Sequence, residues 1–147
     1  MTKAGTTTSA LVSQIDIMGT LASHLGYDLP DTAAEDSHDI LPVIKGESKV
    51  PRTSHVHNTK AGQYAIRDGD WLLVDAKTGY VSGRNGAWEE KRDYPADDGG
   101  DVELYNLKED IGQKKNMAAD QPEKVKELKA LLKKLQEQGY SSPRLSK

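Results

Sequence analysis

The 147-residue chain has no cysteine and no phenylalanine, and aromatic residues make up only 5% of it. Without cysteine there are no disulfides, no thiolate metal ligands and no cysteine nucleophile. Long apolar runs are absent as well. Nothing approaches the roughly 20 apolar residues of a membrane-spanning helix, and the opening "MTKAGTTTSALVSQ" lacks the apolar run of about 7–15 residues that marks a signal peptide. Neither sign of charge predominates: 20 basic and 23 acidic residues leave a net charge of -3. That excludes the basic footprint of nucleic-acid binding and the polybasic patch of membrane-surface binding. Hydrophobic residues reach 35%, where globular chains average roughly 45–50% with glycine counted. With 29% charged residues and 13 glycines, this composition describes either a small core with long polar loops or a piece of a larger fold.

Several local patterns stand out. "SQIDIMGTLASHLG" places Ile17, Met18, Leu21, Ala22 and Leu25 on one face of a short helix. Ser13 is its expected cap, Asp16 favours the first turn, and Gly26 sits where a helix stops. Asp39 is the expected cap of a second, shorter helix in "ILPVIKG", whose Pro42 fits only the first turn. After the linker "ESKVPRTS", the middle of the chain is β-like, with "SHVH" and "GQYAIR" as short strands. "AIRDGDWLLV" predicts a hairpin with Asp68-Gly69 as a two-residue type I′ turn, flanked by Arg67 and Asp70. "VELYNL" reads as a further strand. The C-terminal helix is predicted to be capped by Asp120, with Glu123 at capping-box spacing, Pro122 in the first turn, and a stripe of Val125, Leu128, Leu131, Leu132 and Leu135.

Candidate chemistry is sparse. His55 and His57 lie two apart, so on a strand they share a face and could hold one metal, but a metal needs further ligands, and His24 and His38 show no suggestive spacing. "DDGGD" (97–101) lacks the ligand spacing of a calcium loop and reads as a solvated acidic turn. "SGRNG" does not follow a phosphate-loop pattern. Ser54, His55 and a distant aspartate can be drawn as a hydrolase triad, yet no nucleophile elbow exists. The residues alone describe an α+β chain that is not a complete enzyme.

The order of the segments resembles type I, arylsulfatase-like sulfatases of the alkaline-phosphatase superfamily. "KAGTTTSALVSQIDIMGTLASHLGYDLP" is similar to a segment late in their large domain, with matches at Val12, Ser13, Ile15, Asp16, Thr20, Leu21, Gly26 and Pro30. "DILPVIKGE" resembles the stretch that follows there. "RTSHVHNTKAGQYAIRDGDWLLV" matches the family pattern at Arg52, Val56, His57, Gly62, Ala65, Ile66, Arg67, Gly69, Asp70, Trp71 and Leu73, with Leu72 where lysine is usual. "VELYNLKEDIGQKKNMAADQPEKVKELKALL" resembles the last motif, with Ile111 and Gln113 replacing proline and glutamate.

The resemblance implies an α+β fold: a small antiparallel sheet of about four strands packed by a long C-terminal helix, preceded by a helical segment that belongs to the large α/β domain. Residues 1–50 are expected to be the end of that domain and 51–147 the C-terminal subdomain. The implied function is that of the C-terminal part of a hydrolase of sulfuric esters, completing the fold and lining the substrate pocket. The alternative is a non-catalytic accessory or binding module that reuses this subdomain. No catalytic residue and no metal ligand is expected in this chain, since the formylglycine motif C/S-x-P-x-R is absent and Ser-Ser-Pro-Arg at 141–144 has different spacing. Calcium and formylglycine are implied for the complete family enzyme. His57 is the expected substrate contact, suited to touch sulfate or protonate a leaving group.

The expected partners are the missing N-terminal domain and, in the full enzyme, a sulfated small molecule or glycan, with no nucleic acid and no membrane. A typical bacterial parent would be periplasmic or secreted. Alone, residues 11–45 are expected to expose apolar surface, to self-associate or stay mobile, and to exchange amide hydrogens faster over 13–25 than over 122–136.

Overall fold

The structure is a computed structural model and describes residues 4–47, 51–76 and 100–145. The polar stretch 77–99, with "SGRNG" and most of "DDGGD", lies outside the described residues. The elements in order are α1 (Asp16–Leu25), α2 (Leu41–Ile44), β1 (Ser54–Lys60), β2 (Gln63–Asp68), β3 (Trp71–Asp75), β4 (Glu103–Asn106), α3 (Pro122–Gln138) and a 3-10 turn at Pro143–Leu145. The four strands form one antiparallel sheet in the order β1-β2-β3-β4, so the fold is the expected α+β arrangement. The chain divides into two compact units, Met1–His55 with Lys133–Lys147, and Val56–Leu132.

In the second unit, strand alternation sorts side chains onto two faces. Ile66 pairs with Leu73 and Leu73 with Leu104, and all three are fully buried. Each stabilises the fold by roughly 1.5–3 kcal/mol relative to exposure. Trp71 and Asp75 extend the same face. Lys124 of α3 sits 5.9 Å from the centroid of the Trp71 ring, and Lys129 Nζ lies 2.9 Å from the Asp75 carboxylate. These two contacts lay α3 along that face, where Leu128 and Leu132 are buried. The stripe read from the sequence is therefore the packed side of α3. On the opposite face Ala65, Leu72 and Tyr105 form a second cluster, flanked by Val74 and Leu107.

The hairpin forms where expected but one residue later. Asp68 pairs with Trp71 and Arg67 with Leu72, so the loop residues are Gly69 and Asp70. Only Gly69 has positive φ, at 56°, which fits a turn with glycine first rather than the type I′ form. Arg67 consequently does not face Asp70, and its Nε donates to the Gly69 carbonyl at 2.9 Å. The start of α3 also shifts by one. Val125 N–H donates to the Gln121 carbonyl at 3.1 Å, making Gln121 the cap and Pro122 the first helical residue. Asp120 is held outside the helix by a turn, its own N–H donating to the Met117 carbonyl.

The last sequence motif supplies the sheet edge. Asn116 Oδ1 accepts the Leu104 N–H and the Ala118 N–H, each at 3.0 Å, while its Nδ2 donates to the Val102 carbonyl. Met117 N–H donates to the Leu104 carbonyl at 2.8 Å. The outer edge of β4 is thus closed by one amide side chain and one peptide, a cover that blunts strand pairing with other chains. Asp110 Oδ2 accepts the Lys114 and Lys115 N–H groups at 2.7 and 2.8 Å, shaping the loop that carries Asn116 there.

Candidate functional site

In the first unit α1 is built around its polar side. Asp16, Thr20 and Ala22 are buried, whereas Ile17, Met18, Leu21 and Leu25 are 55%, 55%, 54% and 76% exposed. Ser13 does not cap the helix with its hydroxyl. Instead, Asp16 Oδ2 accepts the Ser13 N–H at 2.7 Å, and Ile15 stands at the cap position without a side-chain bond. Gly26 ends α1 as expected, with φ 66° in the left-handed region. Asp39 Oδ1 accepts the Leu41 N–H at 2.8 Å ahead of α2.

Asp16 is the centre of a buried polar network. Besides Ser13, it accepts the His38 N–H at 3.0 Å and an ion-paired Nη2–H of Arg52, which is itself 4% exposed. Arg52 Nη2 also donates to the Asp36 carbonyl at 2.8 Å, and its Nη1 donates to His55 Nδ1 at 2.9 Å. A guanidinium has no acceptor, so His55 Nδ1 carries the lone pair and the ring proton is on Nε2. That Nε2 faces Ser13 Oγ at 3.5 Å. The Ser13–His55–Arg52 row thus has the outline of a hydrolase triad with the opposite polarity. Where a triad's carboxylate would accept from Nδ1 and leave Nε2 free to take a proton, the Arg52 donor puts the proton on Nε2. The row cannot activate Ser13. It joins the lead-in, α1 and the start of β1.

His57, the expected substrate contact, stands exposed on β1. Protein around the rest of its ring desolvates it and lowers its pKa below the ordinary 6.5, so the imidazole is neutral at pH 7. Among the described residues no group of three or more His, Asp or Glu is arranged to hold a metal ion. The Ser-Ser-Pro-Arg tail is a strap. Ser142 is buried, with its hydroxyl donating to the Ser37 carbonyl at 2.8 Å and its N–H to the Glu35 carbonyl at 2.9 Å. Arg144 donates to the carbonyls of Leu29, Pro30 and Ala33.

Sequence reasoning missed the Asp16–Arg52 pair because the partners lie 36 residues apart. The available signal was that each falls within a family-like motif. A motif residue inside a helix or linker, with no chemistry of its own, is a candidate for such a tie.

Sheet, helix and closing loop together define a small α+β subdomain of the kind found at the C-terminal end of sulfatases. No protein-family profile matches the chain, but relatives do. It is 33% identical over 124 residues to an N-acetylgalactosamine-6-O-sulfatase of Bacteroides thetaiotaomicron, covering 84% of this chain and 23% of that protein. Among solved structures, a Bacteroides thetaiotaomicron 6S-sulf from a core genetic locus for glycosaminoglycan metabolism superposes with a TM-score of 0.66. That match has 32% identity and covers 86% of this chain and 25% of the other. A protein solved with its substrate D-glucosamine-2-N,6-O-disulfate shares the fold, with a TM-score of 0.64 at 24% identity over 93% of this chain and 26% of its own. The chain is a sulfatase homologue corresponding to the C-terminal portion of such enzymes. It spans about a quarter of the length of these relatives.

Proposed function

We propose that the chain works as the C-terminal part of a sulfatase, a hydrolase of sulfuric esters, together with an N-terminal region that supplies formylglycine and calcium. The observation that carries this reading is the exposed apolar side of α1. Ile17, Met18, Leu21 and Leu25 stand in solvent on a helix whose polar side is buried, as suits a helix that packs against further sulfatase polypeptide. Similarity to a 6-O-sulfatase makes a 6-O-sulfated hexosamine the proposed substrate, and a periplasmic or secreted location suits such a substrate.

His57 is the proposed contribution of this chain to the pocket. Its lowered pKa favours a neutral imidazole, which serves better as an N–H donor to sulfate than as a proton donor near pH 7. The test is co-expression with a polypeptide bearing C/S-x-P-x-R, followed by assay on N-acetylgalactosamine 6-sulfate. Turnover by the pair but not by the chain alone, with a raised KM in His57→Ala, is the expected result. No turnover by the pair, together with retained binding of sulfated sugar by the chain alone, would favour the accessory-module reading.

A further inference from the structure

The first unit is assembled from two separate stretches of chain, Met1–His55 and Lys133–Lys147. Its interior is short of apolar material. Among the described residues it buries Ala22 and Val43, against the polar or charged Asp16, Thr20, Ser37, His38, Arg52 and Ser142. Hydrogen bonds therefore carry much of its closure, and several of them come from the second stretch. Gly139, at φ 75°, turns the chain out of α3. The Ser141 and Ser142 N–H groups then both donate to the Glu35 carbonyl, at 3.3 and 2.9 Å, and the Ser142 hydroxyl donates to the Ser37 carbonyl at 2.8 Å. Arg144 donates through Nη1 to the Leu29 and Pro30 carbonyls and through Nη2 to that of Ala33.

The loop that receives these bonds is strained. Ala34 has φ 53°, in the left-handed region that residues with a side chain avoid. It lies between Ala33 and Glu35, whose carbonyls accept from Arg144 and from Ser141 and Ser142. Such strain persists only where the surroundings over-determine the backbone, and the tail supplies contacts on both sides of Ala34. Ser37 then carries the tie onward to α1. Its hydroxyl oxygen accepts the Gly19 N–H at 2.7 Å, an approach that a Cβ at position 19 would block. The next residue, His38, donates its N–H to Asp16 at 3.0 Å. A row of hydrogen bonds thus runs from the tail, through the loop, to the buried side of α1.

We infer that residues 141–145 are a latch on the first unit. Docked, they hold the 29–37 loop in its strained form against α1; released, they let Ala34 relax and the first unit open while the sheet stays folded. Residues 1–55 then cannot close until residue 144 has been synthesised, which makes the first unit the last to form. The inference is independent of the hydrolase reading, because latch opening is measured on this chain alone, without turnover. The experiment is native-state hydrogen exchange of the 147-residue chain and its variants, followed by NMR. Arg144→Ala removes charge-assisted bonds to the loop and should speed exchange at the Gly19, Ser37 and His38 amides roughly tenfold or more. Exchange at Ile66, Leu73 and Leu104 in the sheet should change less than about twofold. A chain ending at Gly139 should show the same local loss with the sheet still protected. Ala34→Gly, which tolerates positive φ, should restore about threefold or more of the protection lost in Arg144→Ala. Unchanged exchange at Gly19, Ser37 and His38 in both the shortened and Arg144→Ala chains, an equal loss in the sheet, or no recovery by Ala34→Gly would each overturn the inference.

Discussion

Replacing Asp16 by alanine is the most informative perturbation of this chain. Its carboxylate is fully buried and accepts from Ser13 N–H, His38 N–H and Arg52. Removing it leaves the Arg52 charge buried without a counter-ion, and breaking a buried pair in this way costs about 3–5 kcal/mol. The two orphaned N–H groups alone account for roughly 1–3 kcal/mol each where water cannot reach them, so the expected loss lies at or above the top of the first range. That is a large share of the roughly 5–15 kcal/mol of a typical domain. Urea denaturation followed by circular dichroism measures the loss, and hydrogen exchange should locate it in α1 and at residues 36–38. The double variant Asp16→Leu, Arg52→Met removes both charges and should recover part of the deficit, as a coupled pair does. A loss below about 1 kcal/mol in Asp16→Ala, or a double variant as unstable as the sum of its singles, would refute the account of this network.

Other perturbations bear on separate elements. Gly19→Ala should destabilise by about 1–3 kcal/mol despite the better helix propensity of alanine, because the added Cβ would stand 2.6 Å from Ser37 Oγ. A rise in the urea midpoint would contradict this. Asn116→Ala should cost about 1–3 kcal/mol by releasing the edge of β4, with Asn116→Asp milder since it keeps the acceptor; equal stability of both variants and the parent in urea would count against that role. The His57 imidazole should titrate with a midpoint below 6.5 by NMR. Because its folded pKa is depressed, its contribution to stability is present above 6.5 and is lost as pH falls through the folded value, so His57→Gln should flatten that acid-side slope. The chain alone should self-associate through α1, and Leu21→Glu with Leu25→Glu should shift it toward monomer in light scattering.

The elements that read well from the sequence are those whose cause is local. The stripe Val125 to Leu135 is a helix face in any context, since its period is written in neighbouring residues. Its two most buried members, Leu128 and Leu132, lie one turn apart. The hairpin was legible from "IRDGDW", yet its register slipped by one. A glycine with positive φ is compatible with either the first or second loop position, and cross-strand pairing of Ile66 with Leu73 settles which. Asp120 looked like a cap because of its spacing to Glu123, but the turn on Met117 keeps it outside the helix.

The candidate site was less legible. His57 could be singled out from the family-like pattern, while its neutral state follows from desolvation that only surrounding protein supplies. His55 stood out in sequence as a possible metal ligand beside His57; Arg52 gives it one tautomer and a tying role. By itself, then, the sequence determined where helices and strands form, that they belong to a sulfatase-like series, and that α1 has an apolar side. Tertiary structure decided which side of α1 is buried, because burial of Asp16 needs an arginine 36 residues away and burial of Ser142 needs a carbonyl 105 residues away. Periodicity reports the short-range preferences of a segment. Satisfaction of a buried charge or hydroxyl depends on partners that only chain folding brings within hydrogen-bond distance.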